Sequence, residues 1–150
     1  MKTIKEGFLR KNLGLGCEEL IKRWLDDHRI INYTINTDLT IDVDGDVDLS
    51  YSEEEQLPDY IQFGTVTKHF YINNCNELES LKGCPKEVGR NFYCDKCPKL
   101  KSLKGVPQKV GGGFSCNECD NLESLKDCPK EVGEGFYCYR CSKLESLEGF

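Results

Sequence analysis

The chain has no apolar run long enough to cross a membrane, and its opening, MKTIKEGFLRKNLGLG, lacks the continuous apolar core of a secretory signal. These two absences predict a protein that stays in the cytoplasm, away from membranes. It also lacks a basic excess. The net charge is −6, whereas direct nucleic-acid binding would call for a basic surface. Only two histidines are present, His28 and His69, and neither has a nucleophile at a recognisable spacing. No glycine loop of the phosphate-cradling kind exists, because Gly111-Gly112-Gly113 is one version of a turn that reads GRN or GEG elsewhere. The expectation is a non-enzymatic protein without a cofactor.

What is abundant is repetition. Phe70, Phe92, Phe114 and Phe136 stand 22 residues apart. Beneath them run the columns Leu78/Leu100/Leu122/Leu144, Ser80/Ser102/Ser124/Ser146, Leu81/Leu103/Leu125/Leu147, Pro85/Pro107/Pro129, Val88/Val110/Val132 and Gly89/Gly111/Gly133. Each unit opens with the alternation of a short strand and then places apolar residues every third position, until Pro and Gly break any helix. About seven inward side chains per unit, each contributing roughly 1.5–3 kcal/mol on full burial, do not offset the roughly 1–2 kcal/mol per residue lost on ordering the backbone. A lone unit should therefore not fold. Stacked units share a continuous interior, which is the logic of a solenoid.

These columns resemble the leucine-rich-repeat family. Phe92, Cys94 and Cys97 match its two strand positions and its Asn/Cys position, followed by Leu100; Phe114, Cys116, Cys119 and Leu122 do likewise. The leucine after the cysteine comes one residue late, as in cysteine-containing variants, and Gly89 or Gly111 stands where a leading leucine is usual. Together with an N-terminal helix, the phrase YTINTDLTIDVDGDVDLS and units ending GCPKEVG, the whole chain resembles short leucine-rich-repeat proteins of tailed bacteriophages. The resemblance implies an α+β repeat protein, a leucine-rich-repeat-like parallel β-solenoid. It also implies a phage protein acting in the host-cell cytoplasm, with a host or bacterial-defence protein as the target it binds and inhibits.

Residues 1–69 follow another pattern. Cys17, Leu20, Ile21, Trp24 and Leu25 lie on one face of an amphipathic helix with acids near its start, and residues 3–12 read as a shorter helix. Leu39, Ile41 and Val43, then Asp44-Gly45, then Val47 and Leu49 read as a β-hairpin about an Asp-Gly turn. The predicted organisation is a helix-plus-hairpin cap over 1–45 and a degenerate first coil over 46–69. Four repeats follow over 70–91, 92–113, 114–135 and 136–150, the last truncated. An end without a cap offers a strand edge through which two copies could join as a homodimer.

The chain has ten cysteines. Three CxxC pairs, Cys94/Cys97, Cys116/Cys119 and Cys138/Cys141, raise the alternative of a structural zinc protein, with Cys94, Cys97, Cys116 and Cys119 as one tetrahedral set. Substitution within the repeats points instead to packing. Ile72 replaces Cys94, Cys116 and Cys138, and Val106 replaces Cys84 and Cys128, so these thiols act as small hydrophobes. The invariant column Cys75/Cys97/Cys119/Cys141 occupies the inward Asn/Cys position, where a thiol donates weakly to backbone groups. No bound metal is expected.

Two surfaces remain for recognition of a protein partner. The outward strand positions gather Tyr71, Asn73, Asn74, Tyr93, Asp95, Lys96, Ser115, Asn117, Glu118, Tyr137, Tyr139 and Arg140, and Tyr and Arg are enriched at interface hot spots. Residues 38–59 hold nine acids and no base, among them Asp42, Asp44, Asp46, Asp48, Glu53, Glu54 and Glu55, while acids and bases balance from 70 onward. The alternating aspartates do not match a calcium loop, which needs a closing glutamate where Tyr51 stands. They read as a solvated face that could also attract a basic partner.

Overall fold

The computed structural model describes residues 16–145. The helix predicted over 3–12, together with Ser146, Leu147 and Phe150 at the end of the repeat columns, lies outside the described residues. Helix α1 (Cys17–Asp27) comes first, followed by β1 (Tyr33–Ile35), β2 (Ile41–Val43), β3 (Val47–Asp48), β4 (Phe63–Val66), β5 (Phe70–Tyr71) and β6 (Glu87–Val88). The remaining strands are β7 (Phe92–Tyr93), β8 (Lys109–Val110), β9 (Phe114–Ser115), β10 (Glu131–Val132) and β11 (Phe136–Tyr137).

They form two sheets. Sheet A runs β1-β2-β4-β6-β8-β10 and sheet B runs β11-β9-β7-β5-β3. Within the stack every pairing is parallel, with Val88 opposite Val110, Phe70 opposite Phe92 and Phe92 opposite Phe114. The chain is thus a parallel β-solenoid: each coil gives one strand to sheet A, turns a corner, gives one to sheet B, and returns along a third side without regular strands. The alternation that opens each unit predicts a single strand per coil. The second strand escapes this pattern because only one of its residues, Val88 or its counterpart, faces inward, between the column proline and glycine, so no alternation shows.

The predicted columns meet in the interior. Phe70, Phe92 and Phe114 are fully buried, and their rings stack at 5.4 and 5.3 Å between centroids, within 3° of parallel. Leu78, Leu81, Leu100, Leu103, Leu122 and Leu125 line the third side at 1% exposure or less. The column Gly89/Gly111/Gly133 marks the closest approach of coil to coil. A Cβ at Gly111 would lie 2.2 Å from the carbonyl oxygen of Gly89, and one at Gly133 would lie 2.0 Å from that of Gly111. Only glycine lets the Gly111 N–H reach the Val88 carbonyl at 2.9 Å.

The N-terminal end is closed by α1 and β1. Ile21 and Leu25 of α1 are fully buried, and Trp24 meets the edge of the Phe63 ring at 6.2 Å between centroids. His28 stacks on Trp24 at 4.0 Å, and its backbone N–H donates to the Trp24 carbonyl, ending the helix.

The hairpin lies one strand earlier than predicted. β2 pairs antiparallel with β1, with Thr34 opposite Asp42, whereas β2 and β3 belong to different sheets. Asp44-Gly45 is therefore a solenoid corner, held to the next coil by Gly45 N–H donating to Thr67 Oγ1 at 2.9 Å. The first coil starts at Ile41, so a boundary at 45/46 cuts through it. The physical reason is long range: β2 and β3 find parallel partners in β4 and β5, which a local turn signal does not reveal.

Candidate functional site

Sheet B carries the outward tyrosine column, and each of its coils leaves the sheet through the same corner. Tyr51, Asn74, Lys96, Glu118 and Arg140 all adopt left-handed backbone, with φ between 55° and 63°. Such a conformation costs a non-glycine residue of order 1–3 kcal/mol. Here it repeats on every coil, so it belongs to the architecture and not to one site. The N–H groups of Tyr51, Asn74, Lys96 and Glu118 donate to Asn73, Asp95, Asn117 and Tyr139 carbonyls of the following coil at 2.8–2.9 Å, which offsets the strain. The corner thereby displays one side chain per coil in a row.

Beside that row runs a ladder of side chains. Ser50 Oγ accepts the N–H of Asn73, Asn73 Oδ1 that of Asp95, Asp95 Oδ1 that of Asn117, and Asn117 Oδ1 that of Tyr139, at 2.7–3.1 Å. Three residues expected to face a partner, Asn73, Asp95 and Asn117, are half-buried and engaged in holding coil to coil. Ser115 is 4% exposed, and its hydroxyl donates to Asp95. The outward side is thus narrower than the alternation suggests, because a short polar side chain on a crowded strand satisfies itself on its neighbours.

What remains free is aromatic and charged. Tyr71 and Tyr93 stack at 5.2 Å between centroids and are half-buried, and Asn91 Nδ2 donates to the Tyr93 hydroxyl at 2.6 Å. Burial, reinforced by the Asp46 carboxylate, pushes the Tyr71 hydroxyl pKa up. At the far end Tyr137 and Tyr139 are 55% and 57% exposed, and the Arg140 guanidinium lies 5.6 Å from the centre of the Tyr139 ring. Glu118 accepts from the Tyr139 hydroxyl at 3.4 Å, while Lys96 stands exposed in the corner row beside half-buried Asn74. Tyr51, at 76% exposure, begins the same row. The sequence reading missed it because the step from 51 to 74 is one residue longer than the later repeats.

The acidic segment is partly structural. Asp42 accepts the Thr65 N–H at 2.8 Å and an Asn36 amide hydrogen at 3.1 Å; Asp44 accepts from Thr67 Oγ1, and Asp46 from the His69 N–H, both at 2.9 Å. Asp48 binds the Ser50 N–H at 3.0 Å. Within the described residues β3 ends sheet B, and exposed Asp46 and Asp48 guard that edge against pairing with another chain. Glu53, Glu54 and Glu55 are exposed. His69, in turn, accepts the Asn91 N–H on Nδ1 at 3.2 Å, a bond that extends the Asp46 contact to the next coil.

The cysteines divide as their columns do. Cys97, Cys119 and Cys141 each donate from Sγ to a carbonyl of the preceding coil, on Ile72, Cys94 and Cys116, at 3.2–3.3 Å; Cys75 reaches the Leu49 carbonyl at 3.6 Å. The column thus supplies donors to strand carbonyls at the corner. Cys84 and Cys94 are buried, and burial pushes both thiols above their usual 9.0, so they stay protonated. Cys138 is half-buried. Among the described residues no group of three or more His, Cys, Asp or Glu side chains converges as a metal site would, and no disulfide joins the cysteines from Cys17 to Cys141. No described helix is long and apolar enough to cross a membrane.

No protein-family model matches the chain, and comparisons with curated proteins and with solved structures return no match either.

Proposed function

We propose that the chain is a non-enzymatic recognition protein that docks another protein on the outer side of sheet B. The carrying observation is the cluster of Tyr137, Tyr139 and Arg140, two exposed tyrosines and a cation over one of the rings, on a corner made rigid by the hydrogen-bonded ladder. Large aromatic side chains held by a stiff scaffold lose little entropy on binding, and Tyr and Arg dominate interface energetics. Tyr51, Lys96 and Glu118 extend the cluster along the corner row. The exposed acids Glu53, Glu54 and Glu55 add a field that favours a basic partner and speeds its approach. The likeness of the repeats to short phage leucine-rich-repeat proteins directs the search to a host or bacterial-defence protein in the cytoplasm, with inhibition as the outcome.

The test is quantitative capture from bacterial lysate with the wild-type chain and with Tyr137→Ala/Tyr139→Ala in parallel. Loss of a specific captured protein in the double variant, whose thermal midpoint stays near that of wild type, supports the reading. Equal capture by both, or no specific protein with either, removes the strand-face site.

A further inference from the structure

Three charged columns in this solenoid alternate in sign over three successive coils. Glu79, Lys101 and Glu123 form one, Glu87, Lys109 and Glu131 another, and Lys96, Glu118 and Arg140 a third. The alternation yields ion pairs across adjacent coils, as between Lys109 and Glu87 at 3.9 Å. One side keeps a single sign over three coils instead. Lys82, Lys104 and Lys126 occupy equivalent places on three successive coils, and Lys86, Gln108 and Lys130 form the neighbouring column. Adjacent coils lie about 4.8 Å apart, and like charges directly opposite each other destabilise a stack. The fold holds this arrangement in place. Ser80, Ser102 and Ser124, the serine column evident in the sequence, each accept the N–H of the lysine two residues on, at 3.0–3.3 Å.

Between the two columns runs a groove of about 530 Å³, lined by Gln62, Lys82, Lys86, Lys104 and Gln108 over Pro85 and Val106. It continues past Lys104 and Gln108 into a hollow of about 410 Å³ bounded by Lys126, Asp127 and Lys130. Lys82 is paired with Asp59 at 3.3 Å. Lys104, Lys126 and Lys130 have no ion pair among the described residues, although twelve acids are spread over the same repeats.

We propose that this groove is a docking site for a carboxylate-rich polypeptide segment of a partner protein. Carboxylates laid between the lysine columns would relieve the repulsion, and the lysine stems and the Pro85/Val106 floor offer apolar contact to the segment's other side chains. The lining favours a peptide over a nucleic acid. It contains no arginine to fork onto phosphate and no aromatic ring to stack a base. The site shares no residue with the sheet B cluster and stands independently of it.

The direct test is fluorescence anisotropy with a labelled oligoglutamate peptide at low and moderate salt, with inorganic polyphosphate and a single-stranded oligonucleotide as competing arms. Saturable, salt-sensitive peptide binding is expected. Lys104→Ala/Lys126→Ala weakens it by about tenfold or more, a change of about 1.4 kcal/mol, whereas Lys101→Ala/Lys143→Ala, with the same net charge, changes it less than about twofold. Absence of saturable binding, equal loss in both pairs, or tighter binding of polyphosphate or oligonucleotide overturns the proposal. A second readout tests the premise without a ligand. At low salt Lys104→Glu, which restores alternation, raises the melting midpoint, while Lys101→Glu, which destroys it, lowers the midpoint; shifts of the same sign overturn the premise.

Discussion

Gly111→Ala should damage the stack far more than its single methyl group suggests. The new Cβ would fall 2.2 Å from the Gly89 carbonyl oxygen and 3.0 Å from its carbon, both backbone atoms that no rotamer change can move. Relief requires the two coils to part locally, which stretches the bonds from Gly111 N–H to Val88 O at 2.9 Å and from Gly112 N–H to Arg90 O at 2.8 Å. Losing two such bonds, with their groups left poorly paired, costs about 1–2 kcal/mol each. Alanine returns only about 0.4–1 kcal/mol by restricting the unfolded chain. The net expectation is a loss of about 2–3 kcal/mol, or a midpoint lowered by about 5–10 °C for a chain of this size. Gly113→Ala is the internal control, because its Cβ would come no nearer than 3.4 Å to a neighbouring heavy atom, the Gly135 carbonyl oxygen. Urea and thermal unfolding followed by circular dichroism would compare the three proteins. Equal stability of Gly111→Ala and Gly113→Ala would refute the idea that coil contact, and not local turn geometry, fixes the glycine column.

Asp95→Ala should cost about 2 kcal/mol in urea unfolding despite its outward position, since it strips the Asn117 N–H and the buried Ser115 hydroxyl of their common acceptor; an unchanged midpoint would remove the ladder from the account. Stability in reductant should fall as pH rises above 9. The Cys84 and Cys94 thiols are held above their usual 9.0 by burial, so they stay protonated in the fold while the unfolded chain releases its protons. The native state's advantage is thus complete below 9 and is lost as pH climbs toward the raised values, by about 1.4 kcal/mol per pH unit for each such thiol. A stability that rises over that range would contradict it. A strong chelator should leave the melting midpoint unchanged, because the Cys97, Cys119 and Cys141 thiols donate to carbonyls; a drop would show that the sulfurs hold a metal.

The repeat columns made the interior legible. Phe92, Cys97 and Leu100 each meet the same surroundings one coil away, so an unbroken 22-residue period reports burial directly. Other features depend on neighbours that sequence order hides. Asp44-Gly45 looks the same whether it closes a hairpin or turns a solenoid corner, and only the positions of β4 and β5 decide between them. Gly89, Gly111 and Gly133 read as helix breakers, yet what selects glycine is a carbonyl from the previous coil. At the candidate site Tyr137, Tyr139 and Arg140 emerged as the alternation foresaw. Asn73, Asp95 and Asn117 did not, because their side chains reach backbone N–H groups one coil on. The lysine groove shows in the sequence as a column, Lys82/Lys104/Lys126, that keeps one sign over three coils.

The stacking itself is best tested by nuclear Overhauser contacts in the reduced protein. Cross-peaks should link residues one coil apart, from the Phe92 ring to those of Phe70 and Phe114 and from backbone protons of Tyr71 to those of Tyr93. A spectrum without contacts at that separation, dominated instead by helical neighbours three and four residues apart, would contradict the solenoid and everything argued from it.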